Sequence, residues 1–224
     1  MPRTKPLRAL IFDFDGLILD TETPDYRSWQ ETYAEFGVEL PLDVWRRNIG
    51  STDFFNPYLY LEAQLGRSLD RAAVKAQRKR RDNELLAMQQ PLPGVEEYLR
   101  AARALGLRIG IASSARRSWV TGHLARLGLS DWFEVVRGQD DVNGRPKPDP
   151  AVYLAALEAL DVPPAAALAL EDSPNGAAAA LAAGLTCIVV PNEMTRDLDF
   201  PPVARRLTAL TDAPLPRLIA ELGR

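Results

Sequence analysis

Short apolar runs alternate with longer stretches of helical period along most of this chain. Residues 7–12, Leu-Arg-Ala-Leu-Ile-Phe, form the first run and lead straight into Asp-Phe-Asp-Gly. A brief apolar run that ends in a glycine turn predicts a buried strand. Runs at 107–112, 167–170 and 186–190 predict three more strands, and 134–136 and 206–210 predict weaker ones. Helical patterns fall between them, at 95–105, 118–127, 150–160 and 175–183. Strands alternating with helices predict a parallel sheet covered on both faces. In such sheets ligands sit at the carboxyl ends of the strands.

From about residue 17 to residue 90 that rhythm breaks. Helical patterns occupy 24–36, 42–47, 55–65 and 69–88, with no convincing strand. A block of helices between the first strand and the rest of the sheet predicts an inserted cap, hinged near 19–21 and 89–93. Pro91, Pro93 and Gly94 suit a boundary followed by a new helix. The expected fold class is therefore α/β. A Rossmann-like, doubly wound parallel-sheet core at 1–16 and 91–224 carries an α-helical cap at 17–90.

Composition narrows the function. The 224 residues are 25% charged and 46% hydrophobic with a net charge of −3, so nothing overall draws the chain to nucleic acid or an anionic membrane. No apolar run reaches the 18 residues of a membrane span, and the amino-terminal residues have no apolar h-region, so they make a poor signal peptide. Cys187 is the only cysteine, which forbids an internal disulfide and favours a cytoplasmic setting. His123 is the only histidine, so a multi-histidine metal site cannot be built. Cys187 lies in a strand pattern and reads as a buried structural thiol. The basic run from Lys75 to Arg81 reads as a solvated helix face rather than an anion patch, because acids follow it at Asp82 and Glu84. No exposed apolar stripe stands out, and a monomer is expected.

Four elements at predicted strand ends carry candidate chemistry. Asp13 and Asp15 flank one residue just after the first strand and can both face the crevice, one as nucleophile and one as general acid and base; an ordinary Asp-Gly turn is the alternative. Ser113, with Ser114 after it, ends the second run and can bind a phosphoryl oxygen or simply cap a helix. Lys147 lies between Pro146 and Pro148, which restrain where its ammonium reaches. It can neutralise a phosphoryl group, or it can be a loop lysine before a helix capped by Asp149. Glu171 and Asp172 are adjacent hard oxygen ligands suited to Mg²⁺, or part of an acidic helix cap.

Taken in order, Asp-x-Asp, Ser, Lys and Glu-Asp resemble the haloacid dehalogenase superfamily over essentially the whole chain. Motif I would be Asp13 to Glu22, motif II Ser113, motif III Lys147 and motif IV Glu171-Asp172. The helical insert makes the sequence most similar to the beta-phosphoglucomutase-like group. The resemblance implies a phosphohydrolase acting on a small-molecule phosphate ester. Asp13 would form an aspartyl-phosphate, while Asp15 protonates the leaving oxygen and then activates water. It also implies Mg²⁺ held by Asp13, the Asp15 carbonyl and Asp172, with Glu171 close, and phosphate held by Ser113, Ser114 and Lys147. Dehalogenases of this fold lack the second motif-I aspartate and need no metal, so that activity is not expected.

Two departures bear on the substrate. Where mutases and many sugar phosphatases of the group carry a cap histidine, this chain has Asp25, and where mutases carry a cap arginine it has Asp53. Acids there disfavour a second phosphate by like-charge repulsion, so hydrolysis is expected before phosphomutase chemistry, with a non-catalytic binding module as the remaining reading. Asp25 and Asp53 are candidate substrate contacts or plain helix caps. Arg116 and Arg117 can reach substrate from the core or merely begin a helix. Trp29, Trp45, Trp119 and Trp132 are expected to pack.

Overall fold

The computed structural model describes residues 6–46 and 55–223; Asp53 lies outside them. Six parallel strands form one sheet in the order β3-β2-β1-β4-β5-β6. They are β1 (Ala9–Phe12), β2 (Arg108–Ala112), β3 (Val135–Arg137), β4 (Ala167–Glu171), β5 (Thr186–Val189) and β6 (Arg205–Arg206). The register sets Leu10 beside Ile109 and Leu168, and Phe12 beside Ile111 and Leu170. Alternation along each strand then sorts the side chains. Leu10, Phe12, Ile109, Ile111, Leu168 and Leu170 belong to one core cluster. Ala9, Ile11, Ala112, Ala167, Ala169 and Cys187 belong to a second, on the other face.

Helices cover both faces. The bulky face meets α5 (Val95–Ala104) and α6 (Arg117–Leu127) through Tyr98, Leu99, Val120 and Leu124. The small face meets α7 (Ala151–Ala159) and α8 (Pro174–Ala182), where Ala156, Ala177, Ala179 and Ala180 are wholly buried. Small residues on both partners let α8 lie close to the sheet. β1 has β2 on one side and β4 on the other, although the chain reaches β2 first. The carboxyl end of β1 is thus a topological switch point, the place where open α/β sheets bind ligands.

Among the described residues, four helices lie between β1 and α5, as the pattern predicted: α1 (Glu22–Glu35), α2 (Leu42–Arg46), α3 (Pro57–Leu65) and α4 (Arg71–Ala87). They have their own apolar cluster of Tyr26, Trp29, Tyr33, Leu40, Trp45, Leu61 and Val74. Local signals fix their ends. The Asn56 side chain accepts from the N–H groups of Tyr58 and Leu59, and Asp70 does the same for Ala72 and Ala73. The start of α1 lies two residues before the predicted one, because Asp20 Oδ1 accepts from Thr23 N–H at 2.9 Å. Met194, beyond β5, is buried in this same cluster. Arg46 reaches the same segment, donating to Asp197 at 2.7 Å and to the Glu193 carbonyl at 2.6 Å.

The last predicted strand shrinks to Arg205–Arg206. Asp212 captures the N–H groups of Thr208 and Ala209 at 2.8 and 3.0 Å, which turns the chain away from the sheet. A further helix, α9 (Leu215–Glu221), was not expected; it is short and buries only Leu215 and Leu218. No helix among the described residues is long and apolar enough to cross a membrane.

Cys187 is fully buried on β5, and burial, reinforced by the charge of Glu171, pushes its thiol pKa up. A thiolate is the reactive form. The folded protein is therefore expected to leave a thiol reagent such as DTNB unreacted at pH 8, and the denatured chain to react with one equivalent. Rapid labelling of native protein would contradict that packing.

Candidate active site

Asp13 is the first residue past β1, and its N–H continues the ladder to the Leu170 carbonyl at 2.9 Å. The side chain is only 6% exposed. Lys147 arrives from the loop between β3 and α7, through a cis peptide to Pro148, and its ammonium bonds Asp13 Oδ1 at 2.6 Å and Glu171 Oε1 at 2.5 Å. The Tyr153 hydroxyl also donates to Glu171 Oε1, at 2.6 Å. The other Glu171 oxygen accepts from Asp172 N–H at 3.2 Å and from the Ser173 hydroxyl at 3.3 Å. Both Glu171 oxygens are thus engaged by the protein, which makes this residue the anchor of Lys147. Gly176 in α8 leaves the room: a Cβ there would fall inside the Glu171 carboxylate.

Asp172 is 3% exposed, and its Oδ2 accepts from Asn192 Nδ2 at 2.8 Å. The same amide donates to the Gly16 carbonyl at 3.2 Å. Gly16 has φ +81°, and a Cβ there would run into the Asp172 carboxylate and lie 2.6 Å from the Asn192 amide, so the turn after Asp15 requires glycine.

Three carboxylates therefore surround one ammonium in a buried place. Oxygens of Asp13, Glu171 and Asp172 all lie within 4.8 Å of one another. Burial pushes each of their pKa values up, with Lys147 opposing the rise. Burial also works against the Lys147 ammonium, but Asp13 and Glu171 outweigh it and hold its pKa above the ordinary value. One cation does not balance three anions, and a hard divalent ion is the group that such an oxygen set accepts.

A cavity of about 400 Å³ opens over this cluster, with Asp13, Asp15, Ser113, Ser114, Lys147 and Asp172 in its wall. Glu22, Asp25, Trp45 and Thr195 also line it. Asp15 accepts from the Trp119 indole N–H at 3.0 Å and lies 3.3 Å from the Ser113 hydroxyl. The Ser114 hydroxyl accepts Lys147 N–H at 3.1 Å, so it also positions the lysine loop. Asp25 is paired with Arg78, whose guanidinium also reaches the Ser28 hydroxyl at 3.1 Å. Burial, then the nearby Asp25 and Asp15, push Glu22 up to about 7.

The structure thus brings together Asp13, Asp15, Ser113, Ser114, Lys147, Glu171, Asp172 and Asp25. Arg116 and Arg117 do not line this cavity. Both are exposed at the start of α6, where Arg117 N–H donates to Asp140 at 2.8 Å and its guanidinium faces Asp141 at 3.5 Å. Three cations of the basic run pair within the helices, Arg78 with Asp25, Lys79 with Asp82, and Arg81 with Glu31 and Glu84. Sequence reasoning missed Tyr153, Asn192, Glu22 and the polar role of Trp119. Asn192 had one available signal, its place just after an apolar run ending at the sheet.

Residues 7–184 match the family described as haloacid dehalogenase-like hydrolase. The chain belongs to that family. A putative phosphatase, YhcW of Bacillus subtilis, is 46% identical over 97% of this chain and 98% of its own. Hexitol phosphatase B of Escherichia coli is 31% identical over 95% of this chain and 96% of its own. Among solved structures, CbbY from Rhodobacter sphaeroides in complex with xylulose-1,5-bisphosphate superposes with a TM-score of 0.69. That pair is 29% identical, over 92% of this chain and 96% of the other. The chain is a phosphoric monoester hydrolase of the haloacid dehalogenase type, and its α/β core with a helical insert is the fold of the beta-phosphoglucomutase-like group.

Proposed function

We propose that this hydrolase is a Mg²⁺-dependent phosphatase for the monophosphate of a small, uncharged polyol or sugar, working through an aspartyl-phosphate on Asp13. The observation that carries the reading is the buried Asp13–Lys147–Glu171 chain beside Asp15, at the switch point of the sheet and open to the cavity. Asp13 attacks phosphorus as the bond to the leaving oxygen breaks, and Asp15 gives that oxygen its proton. Asp15 then takes a proton from the water that hydrolyses the acyl phosphate, which returns Asp13 and releases inorganic phosphate. Lys147, the Ser113 hydroxyl and the backbone N–H groups after Asp13 hold the phosphoryl oxygens, so the developing charge meets fixed donors. Asp13, the Asp15 carbonyl and Asp172 would hold Mg²⁺, which when bound supplies charge neutralisation at the phosphoryl group.

The charges of a second chamber argue for the substrate class. Asp15, Glu22, Asp25 and Asp82 share a second chamber of about 320 Å³ with Arg78 and Lys79. Each of those cations is already paired, Arg78 with Asp25 and Lys79 with Asp82. Neither cation is therefore free to bind a second phosphate, while the carboxyl groups of the chamber suit hydroxyl groups. A relative named for hexitol phosphate agrees with this, and the bisphosphate seen with CbbY sets the contrast to test. In this reading 17–90 is the cap, closing over a core of 1–16 and 91–224 in a cytoplasmic monomer.

The test is phosphate release from hexitol, pentitol and sugar monophosphates and their bisphosphates, with Mg²⁺ and with EDTA. Monophosphates are expected to turn over only with Mg²⁺, and at least tenfold faster in kcat/KM than bisphosphates (roughly 1.4 kcal/mol of like-charge discrimination). Isomerised product that needs a bisphosphate activator would replace this reading with phosphomutase chemistry. A folded protein silent on the whole panel would favour a binding module.

A further inference from the structure

Trp119 lies in the first turn of α6, and its indole N–H donates to Asp15 Oδ1 at 3.0 Å. Oδ2 of the same carboxylate faces the Ser113 hydroxyl at 3.3 Å. Trp119 belongs to the wall of the acid-rich chamber and Ser113 to that of the phosphate chamber, and Asp15 belongs to both. The two Asp15 oxygens therefore have different partners of different chemistry.

An indole N–H is a donor only, whereas a serine hydroxyl donates or accepts. An oxygen that accepts from Trp119 must present a lone pair, so it cannot also carry the acid proton along that direction. The Ser113 hydroxyl already accepts from Ala115 N–H at 2.9 Å, so without substrate its own hydrogen faces Oδ2 of an ionised Asp15, and with substrate bound that hydrogen turns to the phosphoryl oxygen. When Asp15 is protonated, Oδ2 is the oxygen that can hold the hydrogen.

The indole is itself held in place. Its ring meets His123 edge-to-face at 4.3 Å, and His123 in turn lies 6.2 Å from the ring of Phe14, between the two aspartates. Lys79 of α4 sits 5.7 Å from the Trp119 ring centroid. Burial keeps the His123 pKa low, so the stack does not bring a second cation against Asp15. A tryptophan used only as packing has no need for its one polar atom to point at a carboxylate.

We propose that Trp119 is a positioning residue that selects Oδ2 of Asp15 as the oxygen that gives and takes the proton. As the P–O bond breaks, the hydrogen on Oδ2 passes to the leaving oxygen, and Asp15 becomes a carboxylate still bound to Trp119. In the second half-reaction, Oδ2 takes the proton of the attacking water. This rests on the acid–base role given to Asp15 under the proposed function, and the experiment separates the two.

Two probes are compared by kcat/KM, which reports the step that releases the alcohol. One is sorbitol 6-phosphate, or whichever alkyl monophosphate of the panel turns over fastest. The other is p-nitrophenyl phosphate, whose leaving group departs without needing a proton. Trp119→Phe is expected to lose roughly tenfold on the alkyl ester, about one hydrogen bond to a charged group. On the aryl ester the loss should stay under about threefold, with KM nearly unchanged on both. Asp15→Asn should show the same contrast, larger.

A contrast in Asp15→Asn with none in Trp119→Phe overturns the positioning role and leaves the function standing. No contrast in Asp15→Asn overturns the acid–base role, and this proposal with it. If Trp119→Phe fails to fold, site-specific β-(3-benzothienyl)alanine keeps the ring shape and replaces the N–H by sulfur. The same contrast is expected of that protein, and its absence overturns the proposal.

Discussion

Lys147→Met is expected to abolish measurable turnover and to destabilise the folded protein in a pH-dependent way. The methionine fills similar volume but leaves Asp13 and Glu171 with no cation, in a place where Lys147 is 8% exposed and Glu171 not exposed at all. Breaking a buried ion pair from one side costs about 3–5 kcal/mol, because the remaining charge stays out of water. The sign of the pH dependence follows from the carboxylates. Burial, with the charges of Asp13 and Glu171 added to it, holds Asp172 well above its ordinary pKa, and burial raises Asp13 and Glu171 despite Lys147. A group whose pKa is raised on folding stabilises fully below its unfolded value. That contribution is lost as pH rises through the folded value. Removing the lysine raises the three pKa values further, so the variant should lose more at pH 8 than at pH 5. Mg²⁺ should restore part of the loss at pH 8 by replacing the missing charge. The measurement is the urea midpoint at both pH values, with Mg²⁺ and with EDTA. An unchanged midpoint at pH 8 without Mg²⁺ would contradict the charge balance described for the site.

Lys147 also shows why so much of the site is legible in the sequence. Its two prolines fix a loop at a strand end, and the run before Asp13 is apolar enough to be a central strand. Four strand ends of a parallel sheet converge by topology, so residues 134 apart in Asp13 and Lys147 meet as a consequence of the fold. The α/β class and the helical insert follow from periodicity and position, and the resemblance to a known family named the residues that the fold brings to one cavity. What escaped depends on side-chain direction. Arg116 and Arg117 sit next to the end of β2, yet the start of α6 leaves both exposed to water, with the Arg117 guanidinium facing Asp141. Trp119, three residues on, points back at Asp15. Linear distance from the motif gives no hint of that, because a helix turns about 100° per residue. Asn192 and Tyr153 were illegible for a related reason. Tyr153 lies in a helix whose pattern announces only packing and Asn192 in the loop after β5, and the hydroxyl of one and the amide N–H of the other find Glu171 and Asp172 across the fold. The weak strand at 206–210 failed on local chemistry instead, since Asp212 offers the backbone a turn in place of a ladder.

Asp13→Asn and Asp15→Asn should fail at different steps, and that difference is the sharpest check on the chemistry. With p-nitrophenyl phosphate the leaving group needs no proton, so Asp15→Asn can still transfer the phosphoryl group to Asp13. Its amide cannot take the proton from water, and hydrolysis of the acyl phosphate stalls. A burst of about one p-nitrophenol per active site should follow, then a slow steady state, as expected when a covalent intermediate accumulates. Acid-quenched protein should retain phosphate that hydroxylamine releases, as an acyl phosphate does. Asp13→Asn has no carboxylate to attack with, so it should give neither burst nor label, and turnover should fall by roughly 10³-fold or more. Each substitution is nearly isosteric, but the two differ in context. Asp13 is buried against Lys147, whereas Asp15 is half-buried between two chambers. Asp13→Asn therefore removes one of three buried carboxylates that raise one another's pKa values, and its midpoint should fall less between pH 5 and pH 8 than that of the parent protein. Label on the Asp13→Asn protein would place the covalent step on another residue. A burst lost in both variants would mean that Asp15 is required for phosphoryl transfer itself, even to a leaving group that departs unaided.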